Sequence, residues 1–233
     1  MTKLTDKVTL ITGAAGNLGR STAEAFIAAG ARVVLIDRAA ARLRDLYPEL
    51  RDSADHMLAE GIDASDSAAA AELVDEVAVR FGRIDALVNT VGTYRGGKPV
   101  EEEDLDTWDL LFEVNLRTTL VMCRAVIPMM RDGGGRIVNV GARSALAAGA
   151  NSVAYAASKS AVLRLTEGLA KELEPAQIGV NCVLPGTLDT PQNRQAMPDA
   201  DHSRWVAPEA VAAAILFLAS DEARAVSGAA LPV

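Results

Sequence analysis

Lys7-Val-Thr-Leu-Ile-Thr12-Gly-Ala-Ala-Gly-Asn-Leu-Gly19 is a β-rich apolar run that breaks into a glycine-rich turn and then enters a helical pattern. The run 7–12 has the nearly continuous apolar character of a strand covered on both faces. Beyond the turn, Leu18, Thr22, Ala25, Phe26 and Ala29 fall on one helical face, and Gly30 ends the helix. A glycine-rich turn between strand and helix lets backbone N–H groups approach a pyrophosphate, and the helix N-terminus favours its negative charge. Gly13, Gly16, Asn17, Leu18 and Gly19 are therefore the candidate phosphate-binding positions. Gly13 is expected to make the tight turn and Gly19 the close helix–strand contact. Asn17 is expected to tolerate a left-handed backbone.

The same alternation continues outward from this unit. Further strands are predicted at 32–36, 56–60, 84–89, 136–140 and 178–184, with a stub near 229–232. Helical segments separate them, including 152–173, where Val162, Leu165, Leu169 and Leu173 form one stripe. Strand–helix alternation implies right-handed βαβ units and a doubly wound parallel sheet of Rossmann type, an α/β fold in three α/β/α layers. No repeat or linker divides the chain, so 1–233 is expected to be a single domain. The least regular stretches, 92–103 and 187–206, each follow a strand. They should lie at the carboxyl edge of the sheet, where such folds bind ligands.

Composition narrows the function. Half of the 233 residues are apolar and 23% are charged, which suits a water-soluble core-forming chain. The net charge of −8 argues against nucleic acid and against an anionic membrane surface as partners. Arg124 and Pro128 interrupt the most apolar stretch, 119–130, before it reaches the length of a membrane span. Cys123 and Cys182 lie in apolar surroundings and read as buried free thiols. The opening Met1-Thr-Lys-Leu-Thr-Asp-Lys7 lacks the apolar core and cleavage site of a secretory signal. A cytoplasmic location is expected. With two histidines and no paired acid cluster, no metal site is expected.

Asp37 closes the second strand. A carboxylate there can accept hydrogen bonds from adenosine ribose hydroxyls and would repel the extra phosphate of NADP, so NAD is the expected cofactor. Arg38 beside it can soften that repulsion. Tyr155 and Lys159, in Tyr155-Ala-Ala-Ser-Lys159, share one face near the start of the 152–173 helix. A free tyrosine has a pKa of about 10 and is a poor acid–base catalyst near neutrality. A nearby ammonium is expected to stabilise the phenolate and lower that pKa, and the lysine can also reach ribose hydroxyls.

Taken together, these elements resemble the short-chain dehydrogenase/reductase family over essentially the whole chain. Thr12 to Gly19 is similar to its cofactor loop and Asp37 to its NAD-selecting acid. Asp63, followed by Ala64, matches the acid that holds the adenine amine. Asn89-Thr-Val-Gly92 is similar to the family's Asn-Asn-Ala-Gly element, which makes Asn89 and Gly92 cofactor positions. Asn115 matches the helix asparagine that positions a proton-relay water. Pro185-Gly-Thr-Leu-Asp-Thr190 is similar to the segment that contacts the nicotinamide carboxamide, with Pro185, Gly186, Leu188 and Thr190 as its contact residues. The resemblance implies hydride transfer between NAD and a small alcohol or carbonyl substrate. Tyr155 would be the general acid–base, Lys159 its activator and Asn115 the relay anchor. It also implies a homo-oligomer, a dimer or tetramer, formed through helices around 104–130 and 152–173.

Two positions depart from the family pattern. The usual middle glycine of the loop is Asn17, with Gly16 just before it. The family's substrate-polarising serine falls at Ala142, with Ser144 the nearest hydroxyl and a candidate replacement. The segment 188–205 and the Gly141-Ala-Arg143 context resemble dihydropteridine reductases, which implies a quinonoid or imine substrate as an alternative. A reading of another class is an NAD-binding redox sensor without turnover. Arg143 and Arg194 are candidate contacts for an acidic substrate group, although each also reads as a surface arginine. His56 reads as a structural strand residue and His202 as a solvated loop residue. Met197 and Trp205 read as an apolar lid or as packing for the last helix.

Overall fold

The computed structural model describes residues 2–233. Seven parallel strands form one sheet in the order β3-β2-β1-β4-β5-β6-β7. They are β1 (Val8–Thr12), β2 (Arg32–Asp37), β3 (Met57–Glu60), β4 (Ala86–Asn89), β5 (Gly135–Val140), β6 (Ile178–Leu184) and β7 (Ala230–Pro232). The helices are α1 (Asn17–Ala28), α2 (Arg42–Leu46), α3 (Ser67–Phe81), α4 (Leu105–Phe112), α5 (Thr118–Met130), α6 (Val153–Glu172), α7 (Pro191–Ala196) and α8 (Pro208–Leu218). This is the expected three-layer, Rossmann-type α/β fold.

Alternation along the strands divides the core. Leu10, Val34, Ile36 and Ile137 pack with Val77 of α3, Met122 of α5 and Ala170 of α6. Ile11, Val33, Leu35 and Val138 face the other way, against Phe26 of α1 and Ile215 of α8. Burying both sheet faces explains why the strands read as apolar runs rather than as a two-residue alternation. Thr12 pairs with Ile36 and Asn89, Asn89 with Asn139, and Asn139 with Cys182. Every strand therefore releases its loop at the same edge of the sheet.

Some local expectations need correction. Asn17 is not left-handed; it opens α1, and Gly13 carries the positive φ of 64°. His56 lies just ahead of β3, where its Nδ1 accepts the Val33 N–H at 3.2 Å. The stretch 104–130 is not one regular helical run. A π-helical turn at Glu113–Arg117 separates α4 from α5. The irregular 187–206 segment contains α7 and is pinned by a parallel bridge between Leu188 and Val206. Among the described residues no helix is long and apolar enough to cross a membrane.

Candidate active site

The phosphate loop depends on its glycines. A Cβ on Gly19 would lie 2.1 Å from the Gly13 carbonyl oxygen, so α1 can approach the turn this closely only with glycine there. Gly16 precedes α1, and no side chain caps the helix N–H groups. They remain available to an anion. Asp37 accepts from the Ala15 N–H at 3.1 Å and the Ala39 N–H at 3.0 Å, which fixes its carboxylate beside the loop. Tyr47, which the sequence did not single out, braces the loop from below by donating to the Ala14 carbonyl at 3.0 Å.

A groove of about 590 Å³ runs along this edge, lined by Gly13, Gly16, Asp37, Arg38, Asp63, Ala64 and Gly92. Asp63 accepts from the Ser65 N–H and hydroxyl, both at 2.8 Å, and these bonds hold its carboxyl below the usual range. An uncapped helix end at one side and a ring of acceptors at the other fit a dinucleotide: negative charge meets the N–H groups, and hydroxyl or amine donors meet the carboxylates. A second hollow of about 550 Å³ opens at the amino edge between Lys7, Asp85, Arg136 and Glu174, away from these groups.

Asn89 is placed differently from the expectation. Its side chain is buried inside the sheet and donates to Asn139 Oδ1 at 2.9 Å, and Asn139 in turn donates to Thr166 Oγ1. It ties β4 to β5 and α6, so any cofactor contact falls to its backbone. Thr90 Oγ1 donates to the Thr12 carbonyl at 2.6 Å and holds β1 and β4 together where the groove begins.

Three segments converge at Gly92. Asn115, in the π turn, accepts from the Thr93 N–H at 2.8 Å, and donates to the Thr93 carbonyl at 3.1 Å and Ser158 Oγ at 3.0 Å. These bonds engage both ends of the side-chain amide. They also explain the irregular turn, since Asn115 is held by the β4 loop rather than by helical geometry alone. Lys159 is buried and donates from Nζ to the Val140 carbonyl at 2.9 Å. A Cβ at Gly92 would lie 3.0 Å from that Nζ, so glycine leaves the lysine its space. Tyr155 meets Tyr94 edge to face, with ring centroids 4.9 Å apart.

The expected lowering of the Tyr155 pKa by Lys159 is not present in this arrangement. Burial pushes the phenol up to about 12, and the nearby Tyr94 adds to the rise. Burial likewise brings the Lys159 ammonium down to about 8. The reason is geometric: Nζ is directed to the Val140 carbonyl.

Ala142 is buried at the position where a hydroxyl was sought. Ser144 Oγ is also buried and has no hydrogen-bond partner. Downstream of Pro185-Gly186, Thr190 caps α7 by accepting the Asn193 N–H at 3.2 Å, and Asn193 donates to the Leu188 carbonyl at 2.8 Å. Arg194 grips Asp189 through two bonds of 2.6 and 2.8 Å and reaches His202 Nδ1 at 3.3 Å. That arginine serves as a structural clasp within the 187–206 segment. His202, read from the sequence as solvated, joins the clasp and lies 4.3 Å from the Trp205 ring centroid. Asn17 Nδ2 donates to Gln192 Oε1 at 2.9 Å and links α7 to the phosphate loop.

This geometry agrees with what the chain is similar to. The short chain dehydrogenase family model matches residues 7–201. The chain belongs to the short-chain dehydrogenase/reductase family. D-threitol dehydrogenase of Mycolicibacterium smegmatis is 36% identical over 99% of this chain and 92% of its own length. A 3-oxoacyl-[acyl-carrier-protein] reductase of Thermotoga maritima is 35% identical, over 97% and 95%. The structure of a short-chain type dehydrogenase/reductase from Mycobacterium ulcerans superposes with a TM-score of 0.91 and 26% identity, covering 99% of this chain and 89% of that one.

As a short-chain dehydrogenase/reductase, the chain is an oxidoreductase of alcohol or carbonyl groups that uses a nicotinamide cofactor. The sequence did not signal Tyr94, Ser158 or Gln192 as site residues. Each acts through a contact between segments far apart in the chain, which no local spacing marks.

Proposed function

We propose that this short-chain dehydrogenase/reductase transfers a hydride between NAD and a small alcohol or carbonyl substrate, with Tyr155 as general acid–base. The observation that carries the reading is the meeting of Lys159 of α6 with Asn115 of the π turn beside Gly92, a residue of the groove wall, with Tyr155 one helical turn before Lys159 on α6 and packed on Tyr94.

The bound nicotinamide supplies or accepts the hydride. The protein's part is to move a proton and orient the reacting oxygen. The Tyr155 hydroxyl gives its proton to the substrate oxygen in reduction and takes it back in oxidation. In oxidation the phenol must lose a proton, and a pKa near 12 makes this hard at neutral pH. Lys159 assists if its ammonium turns from the Val140 carbonyl toward the phenol and ribose hydroxyls. Asn115 holds the Thr93 backbone and so fixes the wall opposite the lysine. Ser144 has a free hydroxyl to donate to the substrate oxygen, the role its neighbour Ala142 lacks. Along the groove, the N–H groups of Asn17, Leu18 and Gly19 would hold the pyrophosphate, with Gly16 shaping the turn by donating to the Gly13 carbonyl, Asp37 would hold the ribose and Asp63 the adenine. The segment Pro185, Gly186, Leu188 and Thr190 would contact the nicotinamide end. The fixed carboxylate of Asp37 favours NAD over NADP, against the opposing pull of Arg38.

The whole of 1–233 is taken as one catalytic unit, cytoplasmic and homo-oligomeric. Leu105, Leu110 and Leu120 are exposed on α4 and α5, which supports the expected helix-mediated interface. A monomeric mass by light scattering at micromolar concentration would refute the oligomer.

The test is NADH oxidation against ketones, diketones and a quinonoid dihydropterin, with Tyr155→Phe as control and NADPH in parallel. Ketone turnover that disappears in the variant is expected. The buried methyl of Ala142 favours one second reading, reduction of a quinonoid or imine compound that needs no hydroxyl at that position. Turnover confined to the dihydropterin would establish it in place of the first.

A further inference from the structure

The loop after β5 carries a positive charge that nothing in the protein uses. Arg143 is exposed, and among the described residues its guanidinium has no ion pair, no hydrogen bond and no aromatic face. Its backbone is nevertheless fixed, since the Arg143 N–H donates to the Pro185 carbonyl at 3.1 Å. Its side chain is laid over the Pro185-Gly186 segment: a Cβ on Gly186 would lie 3.7 Å from Nε and 3.8 Å from Cζ. The guanidinium thus stands over Pro185-Gly186, the segment proposed to contact the nicotinamide end, and the next residue in the chain, Ser144, has a buried hydroxyl without a partner.

We propose that Arg143 anchors a carboxylate on the substrate, so that the enzyme acts on a hydroxy acid or oxo acid. The proposal rests on the hydride-transfer reading above and names the substrate class for that site. A planar guanidinium offers two parallel donors that match the two oxygens of a carboxylate. One cation matches one negative charge. A phosphate ester carries close to two charges and commonly recruits a second cation, and Arg194 of the segment after Gly186, the other arginine considered as a substrate contact, is paired with Asp189. That same pair neutralises Asp189, an acid of the 187–206 segment. Arg143 binds and orients the acid group while Tyr155 and Ser144 address the oxygen being reduced or formed.

The test compares acids with their own neutral esters. Pyruvate, acetoacetate and their methyl esters are assayed with NADH on the wild type, Arg143→Gln and Arg143→Lys. Binding of the two acids to the Tyr155→Phe protein saturated with NADH is measured by calorimetry, with and without Arg143→Gln. We expect at least one acid to be the better substrate. Arg143→Gln should raise its KM, and its Kd in the calorimetric arm, about 10- to 100-fold, the loss of one charge-assisted bond pair. The ester should change less than threefold, and Arg143→Lys should recover part of the loss. Equal effects on acid and ester, or an effect confined to NADH affinity, would overturn this inference while leaving hydride transfer intact. No turnover of any acid, ester or ketone, with NADH still bound, would overturn the underlying reading as well.

Discussion

The side-chain amide of Asn17 donates to the side-chain carbonyl of Gln192 at 2.9 Å, joining the phosphate loop to the short helix that follows Pro185-Gly186. Asn17 stands where this family usually has a glycine, so the chain replaces backbone freedom with a side-chain clasp. An exposed amide pair is worth roughly 0.5–1 kcal/mol. It is expected to slow lid opening rather than to stabilise the fold. Gln192→Ala and Asn17→Ala should each speed NADH release about two- to fivefold in stopped-flow fluorescence, and the double variant should be no faster than either. Additive effects would show that the two residues act separately.

Lys159 is buried with only the Val140 carbonyl to satisfy its ammonium. Its pKa is brought from 10.5 down to about 8 by burial. Between those values the unfolded chain holds a proton that the folded chain lacks. The penalty is therefore full below pH 8, fades as pH rises and is gone above 10.5. Its size is on the order of 3 kcal/mol. Lys159→Met should accordingly abolish turnover yet raise the urea unfolding free energy at pH 7 by about 1–3 kcal/mol. That gain should close as pH approaches 10.5. A gain constant across this range would mean that packing, not charge, is responsible.

Ser144 Oγ is buried without a partner, which costs stability by about 1–3 kcal/mol. A substrate oxygen at the site would supply the partner that this hydroxyl lacks. Ser144→Ala should leave the melting temperature unchanged or higher, and should lower kcat on a ketone or oxo acid roughly 10- to 100-fold. A variant as active as the wild type would return the reaction to Tyr155 alone and strengthen the quinonoid reading.

What was legible in the sequence follows from what has a period. The strands ending at Thr12, Asp37, Asn89, Val140 and Leu184 read to within about two residues because a doubly covered sheet demands unbroken apolar runs. Gly13 and Gly19 read correctly because a tight turn and a close approach leave no other choice. Asn115 stood out in the sequence by its motif, which carries no trace of its geometry. Its bonds to Thr93 and Ser158 distort the helix into a π turn, and they join residues 22 and 43 positions away. Asn89 misled for the same reason: its motif places it at the cofactor edge, while Asn139 draws its side chain into the core. Arg143 and Arg194 looked alike in sequence. Only the folded chain shows that Asp189 occupies one and nothing occupies the other.

Asp37 stands fixed at the wall of the groove. Its two oxygens are held by the Ala15 and Ala39 N–H groups, so the charge stays at the groove wall and cannot swing away from an added phosphate. Arg38 and Arg42 line the same groove and would welcome that phosphate. The carboxylate is the element that opposes them. Asp37→Ser removes the charge and one ribose acceptor together. The kcat/KM ratio of NADP to NAD should rise at least tenfold, through a weaker KM for NAD and a stronger one for NADP. The loop should also loosen, since the Ala15 N–H loses its acceptor, and a modest fall in melting temperature is expected. If the wild type already favours NADP, or if the ratio does not move, then the arginines and not Asp37 decide the cofactor, because a carboxylate held at the groove wall would have failed to repel a phosphate brought beside it.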